Sequence, residues 1–355
     1  MEQNPFIYLR GLKHAAFTVF CVAEGQKSYY DPQFRVYAPY SSGQQVKRSI
    51  MDKIVETLNE EPSPVSFYFD VDKKGALKEG EVLSICNPEY VDQLIGGWMR
   101  TPKGGTEKAV KRRSPLSISA MTPLHPLLAA IPTENISFDR SDRPGVHKVV
   151  VRDADGTPLT EEQISKLLSG MDRSLYRKWI PDNKRATGLF VYDVAIDLRR
   201  LFTVSTNQLE PEIASETCEK LKKDGWKTVK TVFGEALLMP ENRRNKIIPA
   251  IADALIDWRI TSNQARTFSL METLAVAISA NANSLAAAIR AKMTDDSGDK
   301  PRVKPIVDEN AGAKTFVALQ CANYIVTESE SKDALDNAKK ELIDRMQSFD
   351  YENQI

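Results

Sequence analysis

The stretch FRVYAPYSSGQQVKRSIMDKIVETL, from Phe34 to Leu58, contains the clearest helix start in the sequence. Ser42 and Gln45 have the spacing of a capping box, in which the side chain of the first residue accepts a hydrogen bond from the backbone of the fourth. Apolar side chains then recur at four-residue intervals, at Val46, Ile50, Ile54 and Leu58. This pattern predicts an amphipathic helix that begins after Ser42 and buries one face.

Strands are expected on both sides of this helix. The residues from Phe6 to Val22 are rich in aromatic and β-branched side chains, which predicts a long strand. Gly11 within that strand indicates a bulge or a close backbone approach. Two further strands are predicted in Pro64–Cys86, where Phe67 and Phe69 share one face that we expect to point into the core.

The remaining core elements follow the same reasoning. Strands are predicted at Leu116–Met121 and Gly188–Val204, and a helix at Asn242–Trp258 that Pro249 must begin or kink. Phe268–Ala280 is an apolar strand or a buried helix, and its periodicity leaves both open. The core order is strand, helix, strand, strand, helix, strand, which predicts an α+β fold with an RRM-like or ferredoxin-like topology.

The composition is that of a folded chain without a strong overall charge. The 355 residues include 48 basic and 48 acidic side chains, and 42% are hydrophobic. Zero net charge argues against a protein that coats nucleic acid through bulk electrostatics. The charge is unevenly distributed, however, because the stretch from Arg100 to Arg113 holds six basic residues and one acidic residue. A local phosphate contact fits this pattern.

Several classes of protein are not favoured by the sequence. The four cysteines and three histidines are scattered, so we expect no metal site, no cofactor and a reducing compartment, the cytoplasm. No apolar run is long enough for a membrane span, and the N-terminus lacks the pattern of a secretory signal. Phosphate-loop, dinucleotide-binding, hydrolase and kinase motifs are missing from the sequence, which favours a protein that is not an enzyme.

Two segments could hold phosphate groups. A capped helix N-terminus has free backbone N–H groups that bind anions, and the first turns of this one carry Gln44, Gln45, Lys47 and Arg48. The second segment is KRRSP, from Lys111 to Pro115. An ordinary capped surface helix and a solvated loop remain open as alternatives. Together the two segments could grip a sugar–phosphate backbone without reading its sequence.

The helix stretch resembles the signature that follows the first strand in backbone subunits of class 1 CRISPR–Cas effector complexes. These are the DevR-type members of the RAMP superfamily, the repeated subunit of Cascade, and the resemblance is to type I-B or a related subtype. Supporting segments are IYLRGLKHAAFTVF (7–20), KRRSPLSISA (111–120), NRRNKIIPAIADALIDW (242–258) and TSNQARTFSLMETLAVAIS (261–279). The loop after the first strand departs from the family, with Ala-Glu-Gly-Gln at 23–26.

The resemblance implies an RRM-like palm with a fingers insertion and a protruding thumb hairpin. On this basis the palm comprises residues 1–59, 116–138, 188–204 and 241–355, the fingers 60–115, a surface insertion 139–187 and the thumb 205–240. Trp226 and Val229 are then candidates for the apolar tip of the thumb. The expected RNA-binding residues are Arg10, Lys13, Ser42, Gln44, Gln45, Lys47, Arg48, Arg112, Arg113, Ser114 and Arg266.

The function implied by the resemblance is that of a subunit which polymerises head to tail along a crRNA guide. Its partners would be the guide, a target nucleic acid recognised by base pairing, further copies of itself and other CRISPR effector subunits, with no membrane. Alternatives are an RNA-cleaving type III-like subunit, a small-molecule α/β enzyme and a transcriptional autoregulator. Cleaving subunits use an aspartate in the loop after the first strand, and Asp31 lies in the comparable loop.

Overall fold

The computed structural model describes residues 4–20, 25–101, 108–261, 268–297 and 301–355. The strands in these ranges are β1 (Phe6–Thr18), β2 (Ser28–Asp31), β3 (Val36–Pro39), β4 (Val65–Tyr68), β5 (Glu81–Ser84), β6 (Trp98–Arg100), β7 (Val110–Arg112), β8 (Leu116–Ile118), β9 (Thr122–Pro123), β10 (Ala129–Ala130), β11 (Thr133–Asp139), β12 (Arg177–Lys184), β13 (Ala186–Asp197), β14 (Thr203–Ser205), β15 (Lys227–Thr231), β16 (Gly234–Leu238), β17 (Thr273–Ser279), β18 (Ile289–Asp295), β19 (Arg302–Val307) and β20 (Lys314–Val317). The helices are α1 (Gly43–Leu58), α2 (Val91–Gly96), α3 (Glu161–Leu168), α4 (Leu198–Leu201), α5 (Ser215–Lys223), α6 (Glu241–Asp257), α7 (Ala282–Ala288) and α8 (Ala334–Gln347).

A seven-stranded sheet, which we call the palm sheet, organises the chain. Its order is β10-β13-β1-β17-β20, and β8 and β9 also pair with β13. Each of these pairings is antiparallel. The core strands in chain order are β1, β8, β13 and β17, with α1 after β1 and α6 after β13. In the sheet, β1 lies between β13 and β17. This connectivity is that of the ferredoxin-like βαββαβ arrangement, with β20 added at one edge.

The central strand β1 alternates between two hydrophobic clusters, as the period of a strand requires. Ile7, Leu9 and Ala15 belong to the main core, and Leu12 belongs to a smaller cluster around α7 and β20. Gly11 allows an unusually close contact, because a Cβ atom there would lie 2.2 Å from the ring of Tyr192. The predicted close approach at Gly11 therefore exists, but a side chain makes it.

The predicted helix forms as α1, with its apolar stripe buried. Val46, Ile50 and Ile54 are fully buried in the main core, and Leu58 packs against it. The helix ends at Asn59, whose left-handed backbone conformation (φ 53°) places its N–H on the carbonyl oxygens of Val55 and Glu56. Helix α6 packs beside α1 and runs through Pro249 without ending there.

The predicted fold class, α+β, is confirmed. The alternative left open for Phe268–Ala280 is resolved, since β17 is a strand in which every residue is buried. Within the described ranges, none of the helices combines the length and the apolar character needed to cross a membrane.

Three hairpins leave the palm sheet with little buried surface of their own. They are β4–β5, the insertion β11–α3–β12, and β18–β19. Residues 124–184, all of which the structure describes, include none that is buried. Phe67 and Phe69 on the first hairpin are 64% and 54% exposed, so the expectation that they face the core is wrong.

The expected thumb at 205–240 does not protrude. Its strands β15 and β16 form a three-stranded sheet with β14, and α5 covers them. Trp226 and Val229 are only 7% and 8% exposed and belong to the main core, so their assignment to an exposed tip is wrong. The resemblance predicted a projecting hairpin here, whereas most of the apolar residues of this segment extend the core.

The segment from Asn87 to Pro115, which the resemblance assigns to the fingers, is also partly core. In its described residues, α2 buries Leu94 and Ile95 completely, and Trp98 at the start of β6 is 7% exposed. The indole nitrogen of Trp98 donates a hydrogen bond to the carbonyl oxygen of Glu212, 2.7 Å away. Of the residues 60–115, the hairpin β4–β5 is therefore exposed, whereas the described part of 87–115 packs against the main core.

Replacing Trp226 with alanine should destabilise the whole chain, because a buried indole leaves a cavity that costs about 3–5 kcal/mol. The matched control is Trp179→Ala on the β12 hairpin, where the side chain is 59% exposed. Urea unfolding followed by circular dichroism measures both free energies. Equal, small losses of unfolding free energy in the two variants would contradict the assignment of Trp226 to the core and indicate that 205–240 projects from it.

Candidate nucleic-acid interface

The start of α1 is a capped and anchored helix N-terminus. Oγ of Ser42 accepts a hydrogen bond from the backbone N–H of Gln45 at 3.4 Å, which is the first bond of the predicted capping box. Ser41 and Met121 exchange two backbone hydrogen bonds of 2.9 and 3.1 Å, which fix the helix start beside the β8–β9 connection. The partial positive charge of this end is therefore held in place.

The side chains of the first two turns differ in what they can reach. Gln44 and Arg48 are exposed, and Arg48 forms an ion pair with Asp52 one turn later, with Nε 2.8 Å from Oδ1. Such an exposed pair is weak, so the guanidinium can exchange its partner for a phosphate. Lys47 is half-buried, and its Nζ donates to the carbonyl oxygen of Gly96 at 2.6 Å. Lys47 connects α1 to α2, and burial lowers its pKa.

A groove of about 830 Å³ runs along α1 from this end. Its walls are α1 and the residues that end α6 or follow it. Six charged side chains line it: Arg48, Asp52, Lys53, Glu56, Asp257 and Arg259. Three are basic and three acidic, so the groove is not a uniform anion site, and the anion-binding character lies at the helix N-terminus. Arg266 was expected to contribute here but lies outside the described residues.

Lys13 lies inside the core and cannot contact RNA, so its assignment to the RNA site is wrong. Its Nζ donates to the carbonyl oxygens of Ile256 and Met271, at 3.3 and 3.2 Å, and to Oγ1 of Thr273 at 2.8 Å. Burial lowers the pKa of Lys13 to about 7, against the pull of Asp257. The sequence shows a lysine in a strand, but not which face of the strand it occupies.

Arg112 and Ser114 are structural as well, and the prediction that they bind RNA is wrong. The guanidinium of Arg112 is buried and donates to the carbonyl oxygens of Leu94, Arg200 and Thr203. Burial lowers the pKa of Arg112 to about 10. Oγ of Ser114 lies within hydrogen-bonding distance of two backbone carbonyl oxygens, those of Ile95 at 2.9 Å and Leu116 at 2.7 Å, and can donate to either. The KRRSP segment thus joins α2 to β8.

Arg113 differs from its neighbour because it is exposed. Strand β7 ends at Arg112, which points into the core, and the next side chain points to solvent. Arg113 therefore remains a candidate for contact with a phosphate. Residues 102–107 of the basic stretch lie outside the described residues.

The guanidinium of Arg10 is occupied by protein groups. Nε and Nη2 bind the two carboxylate oxygens of Asp193 at 2.7 and 2.9 Å, and Nη1 donates to the carbonyl oxygen of Ile289 at 3.1 Å. Such a bidentate pair is strong and geometrically fixed. Arg10 therefore ties β1 to the start of β18, and its role in the structure is this connection and not a contact with RNA.

Asp31 ends β2 and shapes the turn to β3. Its Oδ1 accepts hydrogen bonds from the backbone N–H groups of Gln33 and Phe34, at 3.0 and 2.9 Å. Among the described residues, no group of three or more His, Cys, Asp or Glu side chains is placed to hold a metal ion. The role of Asp31 that the structure shows is the turn.

Sequence reasoning missed the cations of the hairpin β18–β19. Lys292 lies directly opposite Lys304 in the register of the two strands. The signal was present in the sequence as alternation of period two, with Arg290 and Lys292 on one strand and Arg302 and Lys304 on the other. Acidic residues lie between the two strands in the sequence, so a count of net charge along this segment does not reveal the alternation.

Comparison with known proteins gives matches in structure only. No family model matches the sequence, and no curated protein is similar to it in sequence. One similar solved structure is described as "CRISPR RNA-guided surveillance complex, pre-nicking", with a TM-score of 0.43 and 8% identity over 96% of this chain and 89% of the other. Another, "CRISPR RNA-guided surveillance complex", has a TM-score of 0.38 and 9% identity over 96% and 84%. These low scores establish neither family nor function.

The buried lysine should give the chain a characteristic pH dependence. Below pH 7 the Lys13 ammonium is charged in both states, so its burial opposes folding fully. Between pH 7 and 10 the folded chain releases this proton while the unfolded chain keeps it, so the free energy of unfolding should rise with pH. Over that range we expect a gain of about 1–3 kcal/mol.

The measurement is urea unfolding at pH 7.0 and 9.5 for the natural chain and for Lys13→Met, which has no such proton to release. The gain with pH should be present in the first and missing in the second. The same pH response in both chains would place the titrating group elsewhere.

Proposed function

We propose that this chain is a guide-RNA-binding backbone subunit of a CRISPR effector complex. One coincidence carries the proposal: the capped, solvent-facing start of α1 lies in the stretch that most specifically resembles that family. A phosphate at this end would accept hydrogen bonds from free backbone N–H groups, and the helix dipole would favour its charge. Gln44 and Arg48 would flank it, and Arg113 is a further cation for the same strand.

Such contacts position a nucleic acid without reading its bases. Recognition of a target is then left to base pairing by the guide, which needs no base-specific motif in the protein. The palm connectivity fits this role, since β1, β13 and β17 make a rigid support and the hairpins project from it. In this assignment the chain supplies positioning and no catalytic step.

Copies of the chain would stack head to tail along the guide. Contacts between two different patches generate an open helical filament when the rotation does not close. The neutral overall charge means that like-charge repulsion does not oppose such stacking. The exposed apolar side chains of β4–β5, among them Phe67 and Phe69, are candidates for the contact between copies. The other effector subunits and the target strand would join this filament in the cytoplasm.

In this proposal the thumb is the insertion β11–α3–β12 and not residues 205–240. The insertion β11–α3–β12 extends from the palm without buried residues, and Trp179 on β12 is exposed. It has the shape expected of a hairpin that reaches a neighbouring copy or the guide. The buried apolar residues of 205–240, by contrast, belong to the main core.

Replacing Arg48 with glutamine should weaken the binding of single-stranded RNA to the same extent for all sequences. If Arg48 meets one phosphate, the slope of log K against log salt concentration should fall by about 0.7. Fluorescence anisotropy at several salt concentrations measures both quantities. Lys340→Gln is the matched control, because it removes one exposed cation from α8, a different helix.

The control separates a local contact from a general loss of charge. We expect Lys340→Gln to leave the affinity and the slope unchanged. Equal losses in the two variants, or no loss in Arg48→Gln, would contradict a phosphate site at the start of α1.

A further inference from the structure

The hairpin β18–β19 is firmly attached to the palm at its base. Ile289 is fully buried, and its carbonyl oxygen accepts the hydrogen bond from Arg10. Arg290 forms an ion pair with Asp308, with Nη2 3.0 Å from Oδ2, and the N–H of Asp308 donates to the carbonyl oxygen of Ala288 at 2.7 Å. The base closes the hairpin on both strands, so the direction in which its arms project is fixed.

The two faces of the hairpin have different chemistry. Lys292 on β18 and Lys304 on β19 are direct cross-strand partners, and both are exposed. Arg302, two residues before Lys304, is exposed on the same face. The opposite face is partly buried and consists of Ala291, Met293, Val303 and Pro305. One face therefore packs towards the protein, and the other presents three cations to solvent.

A pair of like charges directly opposite each other destabilises a hairpin. Within the described part of the chain, no acidic side chain forms an ion pair with Lys292, Arg302 or Lys304. Asp295 lies directly opposite Arg302 in the register, and its Oδ1 accepts hydrogen bonds from the backbone N–H and the hydroxyl of Ser297. These bonds lower the pKa of Asp295. Among the described residues, the Lys292–Lys304 pair thus has no acidic partner, and Asp295 is the one carboxylate opposite a cation of this face.

We propose that this face binds the sugar–phosphate backbone of single-stranded RNA, as a second phosphate contact separate from the start of α1. The proposal rests on the proposed function for the identity of the strand. Three exposed cations on two adjacent strands match a ligand that carries regularly spaced negative charges. Lysine ammonium groups make point-charge contacts with phosphates, and such contacts position a strand without selecting its sequence.

An anionic lipid surface is the other ligand with this chemistry, and the structure argues against it. Membrane-binding faces combine cations with apolar side chains that enter the lipid. The exposed large apolar residues of the described chain include none in 289–297 or 301–307. Phosphate groups of a nucleic acid need no such insertion.

The test replaces both lysines, Lys292→Gln with Lys304→Gln, in the full chain. RNA affinity should fall, and the salt slope should fall by about 1.4, the contribution of two charges. The melting temperature without RNA should stay the same or rise, because the like-charge contact is removed. The matched control is Lys332→Gln with Lys340→Gln, which removes two exposed lysines near and on α8 and should leave the affinity and the slope unchanged.

Reversing one charge gives a second test, in which the melting temperature and the RNA affinity should change in opposite directions. Lys304→Glu creates an opposite-charge pair with Lys292, so the melting temperature should rise while RNA affinity falls. A merely structural role would move both quantities in the same direction. A fall in both would therefore overturn the proposal.

Three outcomes separate this inference from the proposed function. If the natural chain binds RNA and the double variant binds it equally well, the hairpin site is wrong and the proposed function stands. If the natural chain does not bind RNA at all, both fail. If the double variant loses binding to vesicles containing phosphatidylserine but keeps RNA affinity, the face is a lipid site and the inference is overturned.

Discussion

The packing of Tyr192 across Gly11 is the contact on which the palm depends. The ring occupies the space that a side chain at Gly11 would take. It therefore reaches over β1 to α6, where its hydroxyl donates to the carbonyl oxygen of Leu255 at 2.6 Å. Its ring meets Trp258 edge-on at 5.0 Å, and Nζ of Lys13 lies 5.1 Å from the centre of the Trp258 ring. Two strands and a helix are thus fixed by one cluster, and any larger residue at Gly11 would separate them.

Hydrogen bonds within the protein decide which cations can reach a ligand. Lys13, Arg112, Lys47 and Arg10 all donate to carbonyl oxygens, and Arg10 also pairs with a carboxylate. A buried charge must be paired or hydrogen-bonded, and once it is, its donors are no longer available. The capped start of α1, Arg113 and the hairpin β18–β19 differ from these four cations in facing solvent. Zero net charge is therefore compatible with separate phosphate contacts.

The elements with a strong local signal could be predicted from the sequence. The cap at Ser42 and the stripe of α1 were predictable because helix caps and periodicity are local properties. The burial of Lys13 and Arg112 was not, because the sequence around a cation does not show which tertiary face it occupies. Trp226 was misplaced for a related reason: a long connection between core elements can be a projection or an added layer of core. The apolar alternation of Phe67 and Phe69 is likewise compatible with a buried sheet and with an exposed interface between molecules.

The central claim is that copies of this chain assemble along an RNA strand, and the mass of the complex tests it most directly. Multi-angle light scattering on the purified chain with single-stranded RNAs of increasing length would measure that mass. We predict a single species at each length, with a mass that grows by one protein for each fixed increment of RNA, because every copy gains both a stretch of strand and a protein neighbour. One protein per RNA at every length would contradict the account.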